Sequence, residues 1–165
     1  MARYSLTSKG WSTGAGSADA ATITASGCYL GGNSATMQLR INEVTVGGEA
    51  SSASFQGVVL ARDSTNAATP TAGTSRNNLM DATSTAPGTV AIFGQTATTL
   101  PTRAVTHLIE HPLQAYGGYL RWQARQGEEI VTITATAPNS EISYSLYTGS
   151  TAGTTCSSTI IYELT

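Results

Sequence analysis

The chain is poor in charge: Asp, Glu, Lys and Arg supply 11% of its 165 residues, less than half the share of about a quarter usual in globular proteins. Lysine occurs once, at Lys9, beside seven scattered arginines, and the formal net charge is -2. With no dense basic stripe to follow a phosphate backbone, nucleic acid is not expected as a principal partner. No apolar run reaches the roughly 18 residues of a bilayer span, so no membrane partner is expected either. The opening stretch MARYSLTSKGW has no apolar signal segment, which leads to an expectation of synthesis and folding in the cytoplasm. In that reducing compartment the two cysteines, Cys28 and Cys156, are expected as free, buried thiols and not as a disulfide. No CxxC or Cys/His zinc spacing occurs, and neither a metal nor a cofactor is expected.

Serine and threonine take the place of the missing charge, at about a quarter of the chain. Uncharged hydroxyls are desolvated against a partner with one hydrogen bond each, whereas a buried unpaired charge costs several kcal/mol. Such a surface suits an assembly subunit.

Apolar residues recur at every second position in short runs bounded by Gly, Pro, Asn and Ser, and no window sustains a helical repeat. The chain therefore reads as all-β, with ten candidate strands: residues 3–7, 21–26, 36–46, 55–62, 89–94, 103–109, 119–125, 129–135, 141–148 and 158–164. That number suffices for two packed sheets. Met37, Leu39 and Ile41 share one parity and Val44 and Val46 the other, so a β-bulge or bend is expected near Asn42 and Glu43. Ile142, Tyr144 and Leu146, and again Ile160, Tyr162 and Leu164, alternate as strands with one face in a core do.

Two stretches break this rhythm, Ser8 to Asp19 and Asp63 to Pro87. Both carry too little apolar surface to order themselves, and contact with a partner is one way to order them. A single domain over residues 1–165 is expected, with residues 1–27 as an N-terminal arm packed on the domain or on a partner, and residues 63–88 as a long Thr/Ala-rich loop.

Signals for catalysis are weak. His107-Leu-Ile-Glu110-His111 matches H-x-x-E-H, which binds zinc only on a helix. Pro112, Val105, Thr106 and Ile109 disfavour helix there, and on a strand residues four apart lie about 13 Å apart, too far to share one ion. Glu128 and Glu129 are adjacent and on a strand point to opposite faces, so they cannot flank one bond. Asp19, Asp63 and Asp81 are isolated, and no nucleophile elbow, P-loop or dinucleotide fingerprint occurs. No catalytic residue is assigned; two carboxylates converging in a cleft would revive an enzyme.

One stretch is a candidate contact surface. In Tyr116 to Arg125, alternation sends Leu120, Trp122 and Ala124 inward and Tyr119, Arg121, Gln123 and Arg125 outward. The outer set mixes aromatic and guanidinium groups of the kind enriched at protein interfaces and at stacking surfaces. It reads as an ordinary exposed strand, a subunit or partner interface, or a glycan or nucleic-acid face. Arg3, Tyr4 and Trp11 pose a related choice, between anchoring on a partner and packing on the domain's own edge.

Gly57-Val-Val-Leu-Ala-Arg62 followed by a Thr/Pro-rich loop, Gly117-Gly-Tyr-Leu-Arg-Trp122, Gln126-Gly-Glu-Glu-Ile-Val131 and Ile160-Ile-Tyr-Glu-Leu164 together resemble the head decoration, or cement, proteins of tailed bacteriophages. The likeness covers Phe55 to Thr165 and rests on strand-and-turn patterns. It implies a jelly-roll β-sandwich of about eight to ten short antiparallel strands, a homotrimer on the outer capsid surface, and the major capsid protein as partner. It implies no catalytic residue, and no contact residue is carried over. Phage tail or spike jelly rolls that bind a cell-surface glycan are the alternative, since fold alone does not separate the two.

Overall fold

The computed structural model describes residues 2–12, 29–32, 38–65, 76–83, 91–94, 99, 101–133, 141–147 and 155–165. These form eleven strands: β1 (Arg3–Ser12), β2 (Tyr29–Gly32), β3 (Leu39–Glu49), β4 (Phe55–Thr65), β5 (Arg76–Leu79), β6 (Ala91–Gly94), β7 (Thr102–Gln114), β8 (Tyr116–Gln123), β9 (Ile130–Thr132), β10 (Ile142–Tyr147) and β11 (Thr155–Leu164). The chain is all-β. Two antiparallel sheets pack as a sandwich, the first ordered β5-β1-β11-β3-β8 with β9 also on β3, the second β6-β2-β10-β4-β7.

The pairings are nested: β1 with β11, β2 with β10, β3 with β8 and β4 with β7. The core lies between the sheets, where Leu6, Ile41, Val44, Val46, Ile160 and Tyr162 of the first meet Leu30, Val58, Leu60 and Ile142 of the second. In β4, Val59 and Ala61 are as fully buried as Val58 and Leu60. A strand buried on both faces needs no polar alternation, which accounts for the unbroken apolar run Val58 to Ala61.

The expected change of phase in β3 is a bulge. Ile161 faces Glu43 and Tyr162 faces Ile41, so Asn42 has no partner on β11, and this extra residue puts Val44 and Val46 on the same side as Leu39 and Ile41.

A second bulge corrects the reading of the N-terminal stretch. The strand expected to end at Thr7 runs on to Ser12, as an interior strand between β11 and β5, so this part of the expected 1–27 arm is packed on the domain; residues 13–27 lie outside the described residues. Ser8 faces Ser158 and Trp11 faces Cys156, and the surplus residue is accommodated at Gly10, whose φ of 67° is one that glycine adopts without a Cβ penalty. The slip carries Trp11 to the buried side with Tyr4, Leu6 and Ser8.

Within the expected 63–88 loop, β4 continues to Thr65, and β5 pairs with β1 from Tyr4 to Thr7. The candidate strand at residues 21–26 and Cys28 lie outside the described residues.

Candidate functional site

The seven candidate contact residues divide into two groups. Tyr4 and Trp11 are core residues, each with 1% of its surface exposed. Tyr4 stacks on Tyr162 of β11 with ring centroids 5.3 Å apart. Their assignment as contact residues is therefore corrected: their large apolar bodies are spent inside this chain's own sandwich. The other five, Arg3, Tyr119, Arg121, Gln123 and Arg125, are exposed.

Among the described residues, β8 is one edge strand of the first sheet, opposite β5, and it follows β7, one edge strand of the second, opposite β6, with only Ala115 between them. These two edges thus form one continuous run of chain along one side of the sandwich. Ala115 is pinned at the corner, its N–H donating to the Ser54 carbonyl at 2.9 Å and its carbonyl accepting from the Ala50 N–H at 3.0 Å. Around this corner the exposed aromatics gather: Phe55 at the start of β4 is 57% exposed, Tyr116 63% and Tyr119 67%. An edge strand presents unpaired backbone groups that invite a further strand, and lysine is a common guard against it. Neither β7 nor β8 contains lysine. Pro112 sits in β7, where an edge position tolerates its missing N–H.

Further along β8, Arg121 donates to both carboxylate oxygens of Glu43 on β3, at 2.8 and 3.0 Å. Arg3 donates through Nε to Glu163 at 3.0 Å. Where β8 ends, the Ala124 N–H donates to the carbonyl of the bulged Asn42. The turn after it leaves a depression of about 300 Å³ on the outer face of the first sheet, with Arg3 and Gln123 among its lining residues. Sequence reasoning singled out both and did not place them together. Arg125 stands in that turn, its carbonyl accepting from the Glu128 N–H. The Glu129 carboxyl is held below its ordinary range by the Gly127 N–H, with Arg40 adding to the effect.

The histidine motif lies on β7, as the strand reading requires. Leu60 faces Ile109 and Ala61 faces His107, so Leu108 is an extra residue. That bulge lets the His107 ring approach Glu110 at 2.9 Å, while His111 Nδ1 lies 2.7 Å from the Pro112 carbonyl. The two imidazoles thus serve separate local partners. Among the described residues, no three His, Cys, Asp or Glu side chains assemble as a metal site, and no helix is long and apolar enough to cross a membrane.

Asp63, isolated in the sequence, converges with the carboxyl group of Glu141 in the fold. Asp63 of β4 accepts from the Ser143 hydroxyl at 2.6 Å, and its N–H donates to the Glu141 carbonyl at 2.9 Å. Asp63 also faces Arg103 across the β4–β7 ladder. Burial first, with the neighbouring Glu141 adding to it against the pull of Ser143 and Arg103, raises the Asp63 carboxyl to about 9. All four side chains are sealed from solvent, so the cluster ties β4, β7 and the start of β10 together and offers no open cleft.

Cys156 is a buried free thiol that accepts from the Gln56 amide at 2.8 Å. Burial raises it to about 12, which leaves it protonated and unreactive at neutral pH.

Compared with known proteins, the chain matches no family model and no curated protein. Fold and surface define its class: an antiparallel β-sandwich that, among the described residues, exposes Phe55, Tyr116, Tyr119, Arg121, Gln123 and Arg125 along the β8 side and the adjoining outer face.

Proposed function

We propose that this chain is a jelly-roll subunit that attaches to the outside of a tailed-phage head and stiffens the shell, acting as a homotrimer. Its partners are the major capsid protein and its own copies, and its work is adhesion, with no cofactor and no catalytic residue. The nested pairing supports the fold reading. A long antiparallel hairpin rolled up so that its first strand meets its last, its second its last but one, generates the two Greek keys of a jelly roll, an architecture common among capsid and lectin domains.

The observation that carries the functional reading is the lysine-free β7–β8 edge with Phe55, Tyr116 and Tyr119 exposed beside it. Exposed tyrosines at an edge supply large, rigid contact area at low cost in side-chain entropy, and docking against the shell covers such an edge. The first sheet's outer face adds uncharged hydroxyls, with Thr7 and Thr159 oxygens 3.1 Å apart and Thr45 donating to the Thr159 carbonyl. Binding only the assembled lattice stabilises it by mass action, by about 2.7 kcal/mol per site at a hundredfold excess over Kd.

Cosedimentation of the purified protein with heads stripped of outer proteins tests the proposal. Saturable retention in multiples of three copies is expected. Absence of head binding, with attachment to cells that a soluble sugar competes away, would replace it with the tail or spike reading.

A further inference from the structure

We propose that the depression on the outer face of the first sheet binds a single ring of a neutral saccharide. The wall and floor residues Asn42, Gln123 and Gln126 are primary amides, each offering two donors and an acceptor, the mixture that vicinal hydroxyls require. The Glu43, Glu163 and Glu129 carboxylates that share the lining are held by Arg121, by Arg3 and, for Glu129, by the Gly127 N–H at 3.0 Å with Arg40 at 3.8 Å. They are therefore acceptors of fixed orientation whose charge is already compensated, which disfavours both a free cation and an anion and favours an uncharged polyol. Ile161 in the lining supplies apolar surface for the C–H face of a ring. The volume, about 300 Å³, stands at the lower end of ligand sites and suits one ring better than an extended chain.

The site is preformed. The Asn42 bulge opens β3 where β8 stops, and the bond from Ala124 N–H to the Asn42 carbonyl, 2.9 Å, fixes the turn that forms one wall. A rigid wall reduces the ordering cost of binding. Shallow sites with a few uncharged hydrogen bonds give weak affinity, with Kd on the order of 1 mM.

The test is an NMR titration of the intact chain with D-glucose, D-galactose and N-acetyl-D-glucosamine, followed through the side-chain amide resonances, with tetrasaccharides of the same sugars as a second arm. The proposal expects at least one sugar to shift the Asn42, Gln123 and Gln126 amides saturably. The double variant Gln123→Ala/Gln126→Ala is expected to weaken that binding about tenfold or more, while Gln114→Ala on β7 leaves it unchanged. A tighter tetrasaccharide identifies the terminus of a polymer as the source, and equal affinity identifies the free sugar; either supports the site. Absence of saturable shifts with all of these sugars, or shifts that persist in the double variant, overturns it.

Discussion

Tyr4 stacks on Tyr162 with ring centroids 5.3 Å apart and planes 17° from parallel, and this pair joins the first strand of the sandwich to the last. Both rings are buried, so the contact closes the outermost turn of the nested hairpin. Truncating it leaves a void at the seam. Tyr4→Ala is expected to cost about 3–5 kcal/mol, as large aromatic deletions in cores do, read as a lowered urea midpoint. A loss below about 1 kcal/mol would place Tyr4 outside the fold's structural core.

The corner between the sheets depends on a missing side chain. A Cβ on Gly48 would stand 2.3 Å from the Ala115 carbonyl oxygen, whereas on neighbouring Gly47 its nearest contact is at 4.0 Å. Backbone cannot yield as a flexible side chain can. Gly48→Ala is expected to destabilise by about 1–3 kcal/mol, and Gly47→Ala by clearly less; thermal unfolding of the pair makes the comparison.

The buried acid gives the protein a slope of stability with pH. Unfolded, the Asp63 carboxyl titrates near its ordinary 3.8; folded, it is held near 9. Between those values the native chain binds more protons than the unfolded one, so Asp63's contribution is full at acid pH and falls as pH rises. The fall is at most about 1.4 kcal/mol per pH unit, and it levels off once the folded group ionises. Asp63→Asn keeps an acceptor for the Ser143 hydroxyl and removes the ionisation. Urea titrations across this window are expected to give a flatter profile for the variant than for the parent; identical slopes would show that Asp63 is ionised in the folded protein.

Fold and contact functions separate on β8. Tyr119→Ala removes a ring that is 67% exposed, and its effect on thermal unfolding is expected to stay within about 0.5 kcal/mol. Arg121→Ala breaks an exposed pair with Glu43, which solvent screening leaves of little consequence for stability. The same variants are expected to weaken retention on heads at least tenfold, measured by cosedimentation, if β8 is the contact strand.

The sequence disclosed the sandwich wherever apolar alternation was strong. It located the Asn42 bulge, because Ile41 and Val44 cannot share a face without it, and it placed Leu120 inside with Tyr119, Arg121 and Gln123 outside. It missed β2 and β5, which are four residues each, too short for a period to register. The continuation of β1 was hidden because Ser8, Lys9 and Gly10 carry no apolar pattern, and the Gly10 bulge puts Trp11 off the parity of Tyr4 and Leu6, so alternation does not mark it as buried. Burial of Asp63 and Arg103 was illegible for another reason: they meet only across the β4–β7 ladder, and a charged side chain in isolation reads as solvated. The depression left one signal, a bulge residue that the register sets beside a strand end.

Hydrogen exchange at β8, measured with and without stripped heads, tests adhesion along this edge most directly. In the free protein the outward amides of an edge strand lack partners and exchange fast. The account predicts that exchange across Tyr116 to Gln123 slows markedly when heads are added, while buried β4 is unchanged. Rates along β8 that remain the same with heads in excess would contradict it.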